Sequence, residues 1–435
     1  MPALLSPYRD VLRRPGALAF SSAGLIARLP IAMIGLGIVL LVSQETGSYG
    51  LAGALSAAAA LSTAFVGPYA SGLVDRWGQH RVVPLLATGH VVALLLFVVA
   101  VVRGLPEWTM FATAAAAGAL MPNIGSLVRA RWAALLAGSA SLRTAFALES
   151  ILDEVLFVVG PPLATVLALQ VAPWAALFAA AVFVSVGSAL LSLQRATEPP
   201  PSPRRRSGGR PAIAYPGMAV LVVVMVAIGG VFGSFEVVTV AFAQDRGVPG
   251  ATGLLLALYA FGSMTSGIVI GAIRPKATLT RQLVVSSALL AVVSAPFPFL
   301  PTALWVGVGA TLAGLAVSPV LIATFALIER LVPSTRLTEG LTWGTSGIGV
   351  GLAAAAGLSG ALVDASGPST AYLVTAVSGL LVLAAAAIGA PLVGRAERRA
   401  AVAEHPAAQA PIAASVDLVP GPEPGGVRDE PGARS

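Results

Sequence analysis

The chain has 435 residues, of which 57% are hydrophobic and only 10% charged. A water-soluble protein of this length needs far more charged surface, so the composition excludes a soluble fold and assigns the chain to the bilayer. The excess of 26 Lys and Arg over 19 Asp and Glu belongs to loops flanking apolar runs rather than to a nucleic-acid face, and the absence of Cys removes disulfides, thiolate catalysis and cysteine metal sites.

The N-terminal residues 1 to 14 carry Arg9, Arg13 and Arg14 ahead of an apolar run too long for a signal-peptide core. About 20 apolar helical residues cross the hydrocarbon core. On that measure the chain predicts twelve spans. The first six lie at 15–42, 48–73, 82–102, 108–128, 144–169 and 172–194. The second six lie at 216–243, 250–273, 282–300, 303–327, 339–364 and 368–393. Interior prolines such as Pro30, Pro68, Pro122, Pro161 and Pro319 are tolerated as kinks in membrane helices and do not lower the count.

Loop charge predicts orientation, because Arg and Lys resist translocation. Of the 26 basic residues, 23 fall in the two tails and alternate loops, while the opposite loops hold only Arg103 and Arg246 and the first span holds Arg28. A missed or invented helix in mid-chain would scramble this separation. Both termini are thus expected on the cytoplasmic side of a bacterial plasma membrane. Residues 195–215, containing TEPPPSPRRRSGGRP, are too polar and too rich in Pro and Gly to span, and read as a cytoplasmic linker between halves 15–194 and 216–393. The tail 394–435 is expected to be disordered.

The halves share landmarks. Gly53 to Gly72 with Asp75, Arg76 and Arg81 has a counterpart about 200 residues on, at Gly253 to Gly271 with Arg274, Lys276 and Arg281. Arg143 and Thr144 recur as Arg336 and Thr338. Parallel six-helix repeats of this kind place a substrate cavity between the halves.

After the second span the chain reads Gly72-Leu-Val-Asp75-Arg76-Trp-Gly78-Gln-His-Arg81, the pattern G-x-x-x-D-R-x-G-x-x-R. It resembles the signature of the major facilitator superfamily, and the resemblance covers residues 15 to 393. It implies an all-α integral membrane protein of twelve helices in two pseudo-repeats and a transporter working by alternating access. Gly72 allows close helix approach and Gly78 the tight reversal. The resemblance further implies that Asp75, partnered by Arg129, Arg131 or a helix N-terminus, locks the cytoplasmic side shut. In the fifth span Gly160-Pro161-Pro162 resembles the antiporter motif of drug-exporting members, although Ala164 and Thr165 replace its flanking glycines.

Ionisable groups at bilayer depth are costly unless paired. Arg28 lies roughly 20 Å above Pro15, and Asp153 and Glu154 roughly 15 Å above Arg143, depths that allow Arg28 to pair with either acid. Glu236 in the seventh span has no cationic neighbour in sequence and is the first candidate to carry a coupling proton. His90 is expected to be a satisfied polar residue, and Asn123 to bond a carbonyl of a helix broken at Pro122.

A membrane-embedded enzyme would need paired acids for a metal-diphosphate, clustered His, or a nucleophile with its base. The only histidines are His80, His90 and His405, and neither a metal nor a cofactor is called for. The expected function is proton-coupled efflux of a small, moderately apolar organic solute by a monomer in the bilayer. Uptake or facilitated diffusion by the same fold is the alternative.

Overall fold

The structure, a computed structural model, describes residues 8–137, 139, 141–201, 210–273, 277–333 and 336–404. Within them lie eleven helical stretches long and apolar enough to cross a membrane. The last, Glu339–Ala400, has 62 residues, which at 1.5 Å per residue would measure roughly 90 Å, about three bilayer cores. It is divided at Gly367, whose φ of 80° and ψ of 169° are non-helical and open to glycine. The described residues therefore supply twelve crossings.

These crossings are α1 (Ala17–Thr46), α2 (Tyr49–Trp77), α3 (Gln79–Val102), α4 (Glu107–Leu135), α5 (Ser141–Gln170), α6 (Ala175–Leu193), α7 (Met218–Asp245), α8 (Thr252–Ile273), α9 (Leu279–Phe299) and α10 (Ala303–Leu331). They are completed by α11 (337–366) and α12 (368–404), the two parts of Leu337–Glu404.

Three departures from the hydropathy reading have physical causes. α1 is interrupted by a 3-10 turn at Leu29–Ala32, because Pro30 lacks the amide that an α-helix would use. α4 breaks between Leu120 and Ile124 around Pro122, and resumes to Leu135 instead of stopping near 128. There Asn123 accepts from the Ser126 amide at 3.3 Å as an N-cap, rather than bonding a freed carbonyl. Helix α12 runs on to Glu404 where a disordered tail from 394 was expected. Glu397 fixes that extension by accepting from Leu279 N at 3.0 Å, Thr280 N at 3.2 Å and Thr280 Oγ1 at 2.7 Å at the start of α9. The rest of the tail, 405–435, lies outside the described residues.

Without a hydrophobic force between helices in lipid, close packing of small residues supplies the contact. A Cβ on Gly118 of α4 would strike the Ala59 carbonyl of α2, and one on Gly351 of α11 the Val226 carbonyl of α7. One buried apolar cluster uses only residues from 212 to 393, among them Phe235, Phe242, Phe297 and Tyr372. Two others gather residues of the first six helices, one of them joined by Val237, Val240 and Ala356 from the second six. On the perimeter stand large bare side chains such as Phe299, Ile388, Leu193 and Leu304, the surface that lipid chains cover.

Candidate functional site

Where the two sets of helices face each other they enclose a cavity of about 950 Å³, the size of a small-molecule site. Its wall draws on α1 to α5 and on α7, α8, α10 and α11. Toward one end the lining reaches Ser71 of α2, Ser126 and Ala130 of α4 and Thr342 of α11, all near the Arg-rich loops. A second cavity of about 660 Å³, running along the same ends of α5, α10 and α11, includes Ser150, Glu329 and Leu337.

At the opposite end the halves are drawn together. Asp364, near the end of α11, accepts from Ser48 Oγ at 2.9 Å, Tyr49 N at 2.9 Å and Gly50 N at 2.7 Å, and so occupies the N-terminus of α2. Free amides and the helix dipole make that terminus a site for an anion. Just inside, a Cβ on Gly53 would meet the Ala356 carbonyl, and one on Gly360 the Tyr49 carbonyl, so the α2 and α11 backbones touch. Its counterpart Gly253 brings α8 against α5, where a Cβ would stand 2.7 Å from the Pro161 carbonyl and 2.5 Å from Pro162 Cα. Gly53 and Gly253, matched in the repeat, thus serve matched contacts. Gly160 likewise admits the broken stretch of α1, since a Cβ there would lie 2.7 Å from the Ala32 Cβ. The Gly160-Pro161 pair is therefore a packing joint of α5 with both α1 and α8.

Arg28 closes the first part of α1 and is fully buried. Its guanidinium pairs with Asp153 at 2.7 Å and with the buried Glu149. Glu149 also accepts from Ser21 Oγ and Trp132 Nε1, both at 2.8 Å, and Arg129 holds the other oxygen of Asp153 at 2.6 Å. Helices α1, α4 and α5 are thereby bound by a set of two cations and two anions. The sequence offers Glu149 beside Asp153 and Glu154 on the fifth helix but does not mark it as a partner of Arg28, although its spacing of four from Asp153 puts both on one helix face. Glu154, a further 100° round, leaves that face and lines both cavities, with no hydrogen bond or ion pair to a described residue.

Glu236 of α7 also lines the larger cavity and has no hydrogen-bond or ionic partner among the described residues. It lies against Gly35 of α1, where a Cβ would stand 2.5 Å from Oε1. His90 gives Nδ1 to the Ala117 carbonyl at 2.7 Å, while its Nε2 is buried without a partner, so it is only half satisfied.

Helix α2 ends at Gly78, whose φ of 91° and ψ of 152° make the reversal into α3. Gly72 lies one turn and a half earlier on α2. Arg76 is exposed, with its guanidinium 5.8 Å from the Trp77 ring centroid, and Arg81 is exposed at the start of α3. The side chain of Asp75 lies outside the described residues, as do those of Arg143 and Thr338 and the whole of Arg274 and Lys276. Arg131, offered by sequence as a partner of Asp75, is buried and bound elsewhere. It donates to Gln79 Oε1 at 2.7 Å, the Gln194 carbonyl at 2.7 Å, Thr197 Oγ1 at 2.9 Å and the Leu191 carbonyl at 3.0 Å. The chain after α6 is held to the same turn by Glu198, which takes the His80 amide at 3.2 Å and His80 Nδ1 at 2.9 Å. Burial alone would raise the Glu198 carboxyl, but the hydrogen bonds and charge of His80 outweigh it and hold the group below its ordinary value. None of these contacts was legible from spacing, because Glu198 and His80 are 118 residues apart.

Twelve crossings, a central cavity between two sets of six and a closure at one end define a membrane carrier. Residues 20–310, more than half of the chain, match the Major Facilitator Superfamily, and the chain belongs to that family. A variant of the nucleoside transporter NupG is similar in fold, with a TM-score of 0.70 at 13% identity, covering 86% of this chain and 99% of that one. PepTSo, a transporter of the POT family, has a TM-score of 0.69 at 11% identity over 88% and 98% of the two chains. A bacterial metal transporter follows at 0.60 and 16%, over 89% and 99%. No curated protein matches by sequence. The chain is a multi-pass membrane transporter of the secondary type, and not an enzyme.

Proposed function

We propose that this carrier exports a small organic solute in exchange for protons, with Glu236 as the coupling carboxyl. The observation that carries the reading is the position of Glu236: on the cavity wall, without an ionic partner, and against Gly35 of the opposing half. A carboxyl so placed can hold a proton or face the solute, and each exchange alters the charge between the halves. The halves 15–194 and 216–393 rock about the cavity, joined by 195–215. The Arg-rich face is cytoplasmic by the positive-inside rule, which makes the present arrangement the inward-open one. In it the outer face is latched by Asp364, and the turn carrying Asp75, Arg76 and Arg81 is the gate that closes in the other state. Gly160-Pro161 supports antiport as the joint about which α5 moves.

The experiment is transport in inverted vesicles with and without an imposed pH gradient, comparing the native chain with Glu236→Gln. Substrate movement should follow the gradient in the native chain, and the dependence should vanish in the variant. Retention of full gradient dependence by Glu236→Gln would assign coupling to another residue. Movement that never responds to the gradient would point to facilitated diffusion.

A further inference from the structure

The charge of the two cavities is one-sided. Among the described residues no Lys or Arg lines either of them, while Glu154 and Glu236 line the larger and Asp153, Glu154 and Glu329 the smaller. The basic residues nearest by structure are already used. Arg28 and Arg129 are taken by Glu149 and Asp153, a set whose two cations and two anions balance. Arg330 is 3.6 Å from Glu397 and Arg336 is 2.9 Å from Glu339, both directed to acids outside the cavities. Glu154, Glu236 and Glu329 have no such partner among the described residues. A solute entering from the Arg-rich face therefore passes Glu329 and Asp153 before reaching Glu154 and Glu236.

The rest of the larger wall is mostly apolar with scattered neutral polar groups such as Asn123, Ser126 and Thr345, and it carries rings at Phe157, Phe232, Phe235 and Tyr259. Tyr259 stacks on Phe235 at 5.1 Å and meets Phe232 edge-on at 6.0 Å. Ring faces attract a desolvated cation and accept an apolar body equally well. Among the described residues of the wall an anionic solute would meet two carboxyls and no cationic side chain, and a neutral one would leave those acids to be neutralised by protons alone. We propose that the cargo is a lipophilic organic cation, its charge met by Glu154 and Glu236 and its apolar body by the four rings.

The inference deepens the carrier reading and rests on it, but it is tested by binding alone, in detergent and without a gradient. The probes are tetraphenylphosphonium, triphenylphosphine oxide and tetraphenylborate, which share phenyl groups and differ in charge, with ethidium as a second cation of another shape. The purified protein should bind tetraphenylphosphonium at least about tenfold more tightly than either the neutral or the anionic probe. Glu154→Gln and Glu236→Gln should each weaken the cation about tenfold, as loss of a charged contact does, and the corresponding Asp variants should restore part of it. Thr345→Lys keeps both acids and adds a cation at the wall, so it should weaken tetraphenylphosphonium and spare the phosphine oxide even if a Gln variant misfolds. Equal or preferred binding of the neutral or anionic probe would overturn the proposal. So would failure of both cations to bind, or cation binding untouched by all three substitutions. Cation binding without gradient-driven movement in vesicles would instead sink the exchange mechanism and leave the cargo class standing.

Discussion

At the scale of single residues, the membrane interior sorts charges by the cost of leaving them unpaired. Arg28 and Glu149 are buried together, and removing one partner of such a pair strands the other. Glu149→Ala also orphans Ser21 and Trp132, and should lower unfolding stability in detergent by about 3 kcal/mol. Glu154→Gln, which breaks no contact, should lie within about 0.5 kcal/mol of the native chain. Equal losses in the two variants would show that the network carries no stability. The acids at 149, 153 and 154 were all visible in the sequence. Their division into two partners of Arg28 and one free carboxyl was not, since it depends on which side of α5 faces α1.

Glu198 belongs to the same scale but lies in water's reach. Its carboxyl is held below the ordinary value of 4.5, so the folded state favours the ionised form. A depressed acid stabilises the fold fully above its unfolded pKa and loses that contribution as pH falls through the lower folded value. The gap in melting temperature between the native chain and Glu198→Gln should therefore narrow as the pH falls below about 4.5. A gap that widens on acidification would reverse the sign and rule out the His80 contact as its source.

Among the helices, two kinds of junction hold the closed end. Backbone contact at Gly53 and Gly253 is steric and permits a tight approach, whereas the Asp364 carboxylate on the α2 terminus is electrostatic and can release. A cap and its dipole together contribute about 1 to 2 kcal/mol. Asp364→Ala should therefore shift the balance toward the open outer face by about tenfold. Distances between spin labels placed at the exposed Glu45 and Ala365 would report it as growth of a longer population. An unchanged distribution would mean that backbone packing alone closes this end. The repeat offset in sequence pointed to Gly53 and Gly253 as equivalent. It said nothing of Asp364, which is 316 residues from Ser48.

For the whole molecule, the absence of Cys makes sidedness directly measurable. Glu107→Cys lies at the start of α4, just after the loop that follows α3, at an exposed position. In intact cells a membrane-impermeant maleimide should label it, while a Cys introduced at Arg81 should be labelled only after the membrane is opened. The reverse pattern would invert the topology and, with it, the assignment of the present state as inward-open.

What the sequence determined by itself follows from local physics. Hydropathy and loop charge are properties of about 20 consecutive residues, so twelve crossings and the G-x-x-x-D-R-x-G-x-x-R turn could be read directly. Even there, helix ends beyond the apolar stretch escaped, because α12 continues to Glu404 and its Glu397 is held by the distant start of α9. Tertiary structure alone decided which acids are paired, which face is closed and what the cavity presents. Those outcomes rest on contacts between different helices, from 17 residues apart at Trp132 and Glu149 to 316 at Ser48 and Asp364, and in a bilayer it is these few polar contacts that separate one arrangement of apolar helices from another.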